Sequence, residues 1–219
     1  MEQRQVVLPL PGADLAGSLT VPDDARGLIV FAHGSGSSRM SPRNVHVADK
    51  LNAGGFATLL FDLLTGEEDA DHERRFDIPL LSQRLVAAVD WSRGEPETSR
   101  FSVGLFGAST GAAAALQTAS HRPDVVEAAV SRGGRPDLAM ESLPNVHSPT
   151  LLIVGSLDDI VIDLNRQALA RLPHETAKEL HIVSGASHLF EEQGKMDRVS
   201  DLALGWFAHH LSGSGRPGP

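Results

Sequence analysis

An α/β fold with a mostly parallel sheet of about eight strands, an N-terminal antiparallel hairpin and helices on both faces is predicted by three features of this sequence. Short, unbroken apolar runs recur along the chain, which suits strands buried on both faces of a parallel sheet. Amphipathic stretches of helical period separate those runs, so strands and helices alternate as βαβ units do. Ahead of that alternation stand two strands joined by a tight turn.

Residues 3–10 and 15–21 form the leading pair, connected by Pro11-Gly12-Ala13-Asp14. In the second of them, Leu15, Gly17, Leu19 and Val21 alternate with polar or small residues, the pattern of a half-exposed antiparallel strand. The first continuous apolar run covers residues 27–32. Others occupy 57–61, 101–106, 125–130 and 151–154, with a weaker one at 179–183. Helical patterns fall between them, at 44–53, 78–91, 110–120, 163–171 and 199–211. The first follows Ser41-Pro42, which places a proline in the opening turn, and stops at Gly54-Gly55. The second carries Leu81, Leu85, Ala88 and Val89 on one face. Residues 131–148, between the sixth and seventh strands, are too few for a helical cap domain. Residues 1–211 read as one domain, and 212–219 as a flexible Gly/Ser/Pro tail or linker.

Composition narrows the function classes. A formal net charge of −9, with no Lys/Arg-rich stripe, argues against a nucleic-acid partner. No apolar run approaches the roughly 18 residues of a membrane span. Residues 1–5 lack the basic-then-apolar layout of a secretory signal, so a cytoplasmic protein is expected. The absence of cysteine removes disulfides, thiolate nucleophiles and cysteine metal sites. No His/Asp/Glu spacing points to a metal site. A small-molecule substrate is the expected partner, and exposed helix faces and edge strands are compatible with a homodimer.

The strongest chemical signal is Gly107-Ala108-Ser109-Thr110-Gly111, between an apolar strand and an alanine-rich helix. A serine on so tight a strand-to-helix turn projects its hydroxyl out of the sheet, and the flanking glycines relieve the crowding of the bend. Serine nucleophiles need a base, and the base needs a carboxylate to orient it. Both follow in the chain, each just beyond a strand: Asp158 in Gly155-Ser156-Leu157-Asp158-Asp159, and His188 in Ser184-Gly185-Ala186-Ser187-His188. Loops beyond the carboxyl ends of parallel strands open on one edge of the sheet, where Ser109, Asp158 and His188 can meet. Asp159 is the alternative acid. Of the other histidines, His181 lies within a strand and His209-His210 at the end of the last helix. His33-Gly34-Ser35-Gly36 follows another strand, and its Ser35 amide, with that of Thr110, would form an oxyanion hole. Thr110 also opens a helix, whose dipole favours negative charge there. His33 itself is expected to brace the loop by hydrogen bonds.

On these residues the chain resembles the α/β-hydrolases, and within them the small dienelactone-hydrolase-like group. The likeness runs from residue 3 to about residue 211 and is carried by the His33–Gly36 loop, the Gly107–Gly111 elbow, Gly155-x-x-Asp158-x-x-Val161 and Gly185-Ala186-Ser187-His188. It implies a cofactor-free hydrolase that cleaves an ester, thioester or lactone through an acyl-enzyme. One position departs from the group. Dienelactone hydrolases use a cysteine nucleophile where this chain has Ser109, which moves the expectation from dienelactone to general carboxylic esters.

Arg132 and Arg135 stand just beyond the sixth strand, on the same edge, and either could clamp an anionic substrate. The alternative is that they are solvated and paired with Asp137 or Glu141. The charge run at residues 67–75 reads as a solvated loop beside the pocket mouth. Two other functions share this pattern: acyl transfer or carbon–carbon hydrolysis on the same residues, and a binding module that kept the fold without catalysis.

Overall fold

The computed structural model describes residues 3–211; the predicted tail at 212–219 lies outside them. The strands are β1 (Gln3–Leu10), β2 (Ala13–Thr20), β3 (Leu28–Ala32), β4 (Ala57–Phe61), β5 (Val103–Ala108), β6 (Val126–Arg132), β7 (Thr150–Gly155) and β8 (Lys178–Val183). They form one sheet in the order β1-β2-β4-β3-β5-β6-β7-β8. β2 runs antiparallel to β1 and β4, and every other pairing is parallel. The helices are α1 (Pro42–Ala53), α2 (Gly66–Ala70), α3 (Ile78–Gly94), α4 (Thr110–His121), α5 (Asp159–Arg171) and α6 (Lys195–His210).

Burial divides the helices between the two faces. Val47, Ala48 and Leu51 of α1 share one apolar cluster with Val199, Ala203 and Phe207 of α6. Leu81, Leu85 and Val89 of α3 pack with Ala113, Ala115 and Leu116 of α4 on the other face. Between β6 and β7 stand short 3-10 turns at Pro136–Ala139 and Leu143–Asn145. No helix among the described residues is long and apolar enough to cross a membrane.

Strand order positions the site. From β3 the chain passes to β4 on one side of the sheet, then returns to place β5 on β3's other side. The loops leaving β3 and β5 therefore diverge to opposite faces and open a crevice at their carboxyl ends, the place where open α/β sheets bind ligands.

Three departures from the sequence expectation have local causes. α5 begins at Asp159, not 163, because Val161 and Ile162 are buried and the Ile162 amide bonds to the Asp158 carbonyl at 2.9 Å. Tertiary packing overrides the low helix propensity of Ile160-Val161-Ile162 there. β5 begins two residues late because Phe101 closes a turn on Thr98 (2.9 Å) before the strand starts. The charge run at 67–75 is structured rather than a simple solvated loop. Thr65 and Glu68 form a reciprocal capping box around α2. The Glu68 carboxylate also grips buried Arg84 of α3 through two bonds of 2.6 and 2.7 Å.

Candidate active site

Ser109 sits between β5 and α4 with φ 51° and ψ −119°, a conformation that costs an L-residue about 1–3 kcal/mol. Close packing enforces it. A Cβ on Gly107 would lie 2.5 Å from the Ala112 Cα, and one on Gly111 would lie 2.2 Å from the Ala32 carbonyl oxygen. Only glycine lets α4 approach β3 and β5 so nearly, and that approach bends the chain at Ser109. The bend is locked by the Ser109 carbonyl, which accepts from the amides of Ala112 and Arg135, each at 3.1 Å.

The loops after β7 and β8 are built as one unit. The Leu157 amide donates to the Ala186 carbonyl at 3.0 Å, and that of Gly185 to the Ser156 hydroxyl at 2.8 Å. Gly155 has no room for a side chain, since a Cβ would meet the Ala186 and Ser187 carbonyls at 2.3 and 2.5 Å. Within this unit Asp158 Oδ2 lies 2.6 Å from His188 Nδ1. Asp159, the alternative acid, is exposed at the start of α5. The loop carrying His188 turns at Phe190, the second non-glycine residue with positive φ (58°), whose ring is buried against the α1–α6 cluster. Both backbone outliers thus lie in loops of this site, as strain at functional positions often does.

These loops converge. The Ser109 amide donates to the Arg132 carbonyl at 3.2 Å, and Gly133, the next residue, faces His188 closely enough that a Cβ would sit 3.5 Å from the ring Cε1. A Cβ on Gly34 would lie 3.1 Å from that of Ser109, so the loop after β3 flanks the serine on its other side. The Ser109 hydroxyl has no hydrogen bond to His188 among the described residues. Such bonds are often long without substrate and tighten in the Michaelis complex.

His33 braces the loop after β3. Its Nδ1 bonds to the Gly34 carbonyl at 3.0 Å, and its Nε2 accepts from the Leu63 amide at 2.9 Å. Burial lowers its pKa below the usual histidine value. The neutral ring, with its proton on Nδ1, satisfies both partners. The Ser35 amide donates to the Thr110 hydroxyl at 2.9 Å. Both expected oxyanion-hole residues are thus adjacent, with one amide already engaged by the other's side chain.

The two candidate arginines differ. Arg135 forms a two-bond pair with Asp137, both at 2.8 Å, which raises its pKa and neutralises it locally. Arg132 is 6% exposed, and among the described residues it has no carboxylate partner. Among the described residues, no three His, Asp or Glu side chains gather as metal ligands would. The sequence reading missed the Thr110–Ser35 bond and the Glu68–Arg84 pair. The Thr65-x-x-Glu68 spacing was a legible capping-box signal for α2, whereas nothing local marks Arg84 as its partner.

The family model described as the dienelactone hydrolase family matches residues 15–205. The chain belongs to that family. Within it, the chain is similar to a crystal structure of dienelactone hydrolase from Anabaena variabilis, with 52% identity and a TM-score of 0.92, covering 96% of this chain and 99% of that one. Two strains of Mycobacterium tuberculosis carry a protein provisionally named a phosphoribosyl transferase that is 53% identical over 218 residues, or 99% of this chain. This family member spans about half (48%) of their length. Est1E of Butyrivibrio proteoclasticus, solved with ferulic acid, shares the fold at 14% identity and a TM-score of 0.78, covering 94% of this chain and 98% of that one.

Proposed function

We propose that this chain is a serine hydrolase that cleaves a small carboxylic ester, thioester or lactone through an acyl-enzyme. One observation carries the reading: the loop after β6 joins a serine on a strained strand-to-helix turn, at Arg132, to a histidine, at Gly133, whose Nδ1 is 2.6 Å from an aspartate. In this mechanism His188 Nε2 takes the Ser109 proton as the oxygen attacks the carbonyl carbon. Asp158, bonded to Nδ1–H, holds the tautomer and stabilises the imidazolium. The tetrahedral oxyanion takes the amides of Ser35 and Thr110, and Ser35 exchanges its bond to the Thr110 hydroxyl for one to the oxyanion. Each such donor is worth about 10²–10³ in turnover. Collapse expels the alcohol or thiol, which leaves with the proton from His188. Water, deprotonated by the same imidazole, then releases the acid and restores the serine.

The short link between β6 and β7 supports an open site for small soluble substrates, where water reaches the acyl-enzyme. That favours hydrolysis over transfer to another acceptor. The transferase name of the mycobacterial relatives describes proteins about twice as long as this chain, whereas the side chains gathered here are those of acyl chemistry.

The test is intact-mass analysis after exposure to a fluorophosphonate, with Ser109→Ala treated in parallel. One adduct on the parent and none on the variant is expected. On a panel of short esters, thioesters and lactones, the variant should lose on the order of 10⁴–10⁶ in kcat. An unlabelled, folded parent that turns over nothing on the panel sinks the reading.

A further inference from the structure

We propose that the side-chain hydroxyl of Thr110 is a third donor to the oxyanion, beside the amides of Ser35 and Thr110, and that in the free enzyme it holds the place the substrate oxygen will take. The inference rests on the hydrolase reading and adds a catalytic side chain to it.

Thr110 follows the candidate nucleophile and opens α4, so the turn that fixes Ser109 also fixes Thr110. The loop after β3 presses on the same place, since a Cβ on Gly34 would lie 3.1 Å from that of Ser109. From that loop the Ser35 amide donates to Thr110 Oγ1 at 2.9 Å. In the mechanism above, the same amide turns to the oxyanion. Before substrate binds, Oγ1 is thus the oxygen that this donor holds. The Thr110 amide belongs to the same residue, so an oxygen bound by both amides sits beside Oγ1.

What makes the hydroxyl more than a placeholder is its proton. A threonine hydroxyl both accepts and donates. Thr110 is 2% exposed, and among the described residues its hydroxyl accepts from Ser35 and finds no acceptor for its own proton. The small cavity beside it, of about 10 Å³, has room for about one water and is walled by Leu63, Leu64 and Leu81. Polar groups on that wall are engaged elsewhere. His33 uses both ring nitrogens, on the Gly34 carbonyl and the Leu63 amide, and the Asp69 carboxylate pairs with Arg75. A buried donor without a partner is costly, whereas one aimed at developing negative charge stabilises the transition state. The proton swings by rotation about the Cβ–Oγ1 bond, so the carbon skeleton of the threonine stays where it is. When Ser35 gives its amide to the oxyanion, the hydroxyl loses that donor, keeps its proton and meets the same oxygen.

The deciding experiment is a crystal structure of the wild-type protein after fluorophosphonate treatment. Displacement of fluoride joins phosphorus to Ser109 Oγ, and a phosphoryl oxygen takes the oxyanion's place. Thr110 Oγ1 should lie about 2.5–3.0 Å from that oxygen, the range of a hydroxyl hydrogen bond. Kinetics on 4-nitrophenyl acetate supply the second arm. Thr110→Val keeps the shape and lacks the proton, and should lower kcat about 10²-fold with KM within about twofold. Thr110→Ser restores the proton and should recover most of that loss. The pH dependence of kcat, set by His188, should be the same in all three proteins. An adduct whose Oγ1 stays on the Ser35 amide, beyond about 3.5 Å from the phosphoryl oxygen, overturns the proposal whether or not a variant folds. So does a Thr110→Val enzyme that keeps its kcat, or a loss that Thr110→Ser leaves unrestored. Those outcomes keep the adduct on Ser109, and the hydrolase reading with it. A folded wild type that takes no adduct and turns over no ester removes both.

Discussion

Arg84 and Arg132 are both buried, at 2% and 6% exposure, yet the protein treats them in opposite ways. Arg84 gives two bonds to the Glu68 carboxylate and a third, at 2.8 Å, to the Leu63 carbonyl. That network, which leaves only the Arg84 Nε without a partner, ties α2 to α3 and fixes the segment after β4, including the amide from which His33 accepts. Arg132, at the end of β6, has no such partner among the described residues and feels the charge of a second cation, Arg43. A cation buried for architecture is neutralised inside the fold. At Arg132 the fold supplies burial without such a pairing. Arg135, three residues on, shows a third solution, a partly exposed pair with Asp137.

The largest expected effect comes from opening the closed pair. Glu68→Gln strands Arg84 and should destabilise the fold by about 3 kcal/mol, measured by urea unfolding. Glu68→Met with Arg84→Met should recover most of that loss, because a buried ion pair replaced by apolar groups is often neutral. A double variant as unstable as the single one would mean that the pair is more than a satisfied charge.

Acid provides the next test. The Arg84 guanidinium, chiefly through its hydrogen bonds, holds the Glu68 carboxyl down at about 2 from an ordinary 4.5. Between those values the unfolded chain binds the extra proton and the folded one does not. The stabilisation is therefore complete above about pH 4.5 and drains away as pH falls towards about 2. The stability gap between wild type and Glu68→Gln should narrow over that interval; a gap constant with pH would break the argument.

A smaller effect of opposite sign is expected at the open cation. Arg132→Met removes an unpaired buried charge while keeping an unbranched side chain, and should hold or raise stability by about 1 kcal/mol. A loss of several kcal/mol there would put Arg132 in the same architectural class as Arg84. The smallest effect belongs to Arg135→Ala, which breaks a partly solvated ion pair and should change unfolding free energy by less than about 1 kcal/mol.

Much of the molecule was legible in the chain because its signals are local. Continuous apolar runs marked the buried parallel strands, and β1 and β4 match the expected boundaries. The Gly107–Gly111 turn, Asp158, His188 and the His33 loop were each visible at a strand end, and the fold brings those strand ends together. Less legible were features that depend on a partner distant in sequence. Residues 67–75 carry abundant charge, and charge alone reads as solvation until Arg84 arrives from α3 to bury one carboxylate. The Ser35 amide is engaged by a hydroxyl 75 residues away, so its partner could not be read from its own loop.

Asp158 and Asp159 show where the boundary falls. Sequence made them adjacent and chemically identical; the start of α5 at Asp159 turned one towards His188 and the other towards solvent. Arg132 and Arg135 divide in the same way. Composition and motif spacing determined the fold class, the candidate site residues and their order, because strand and turn preferences act over a few residues. Which carboxylate meets the imidazole and which guanidinium lacks a counter-ion depend on three-dimensional neighbours, and only the packed tertiary structure selects those.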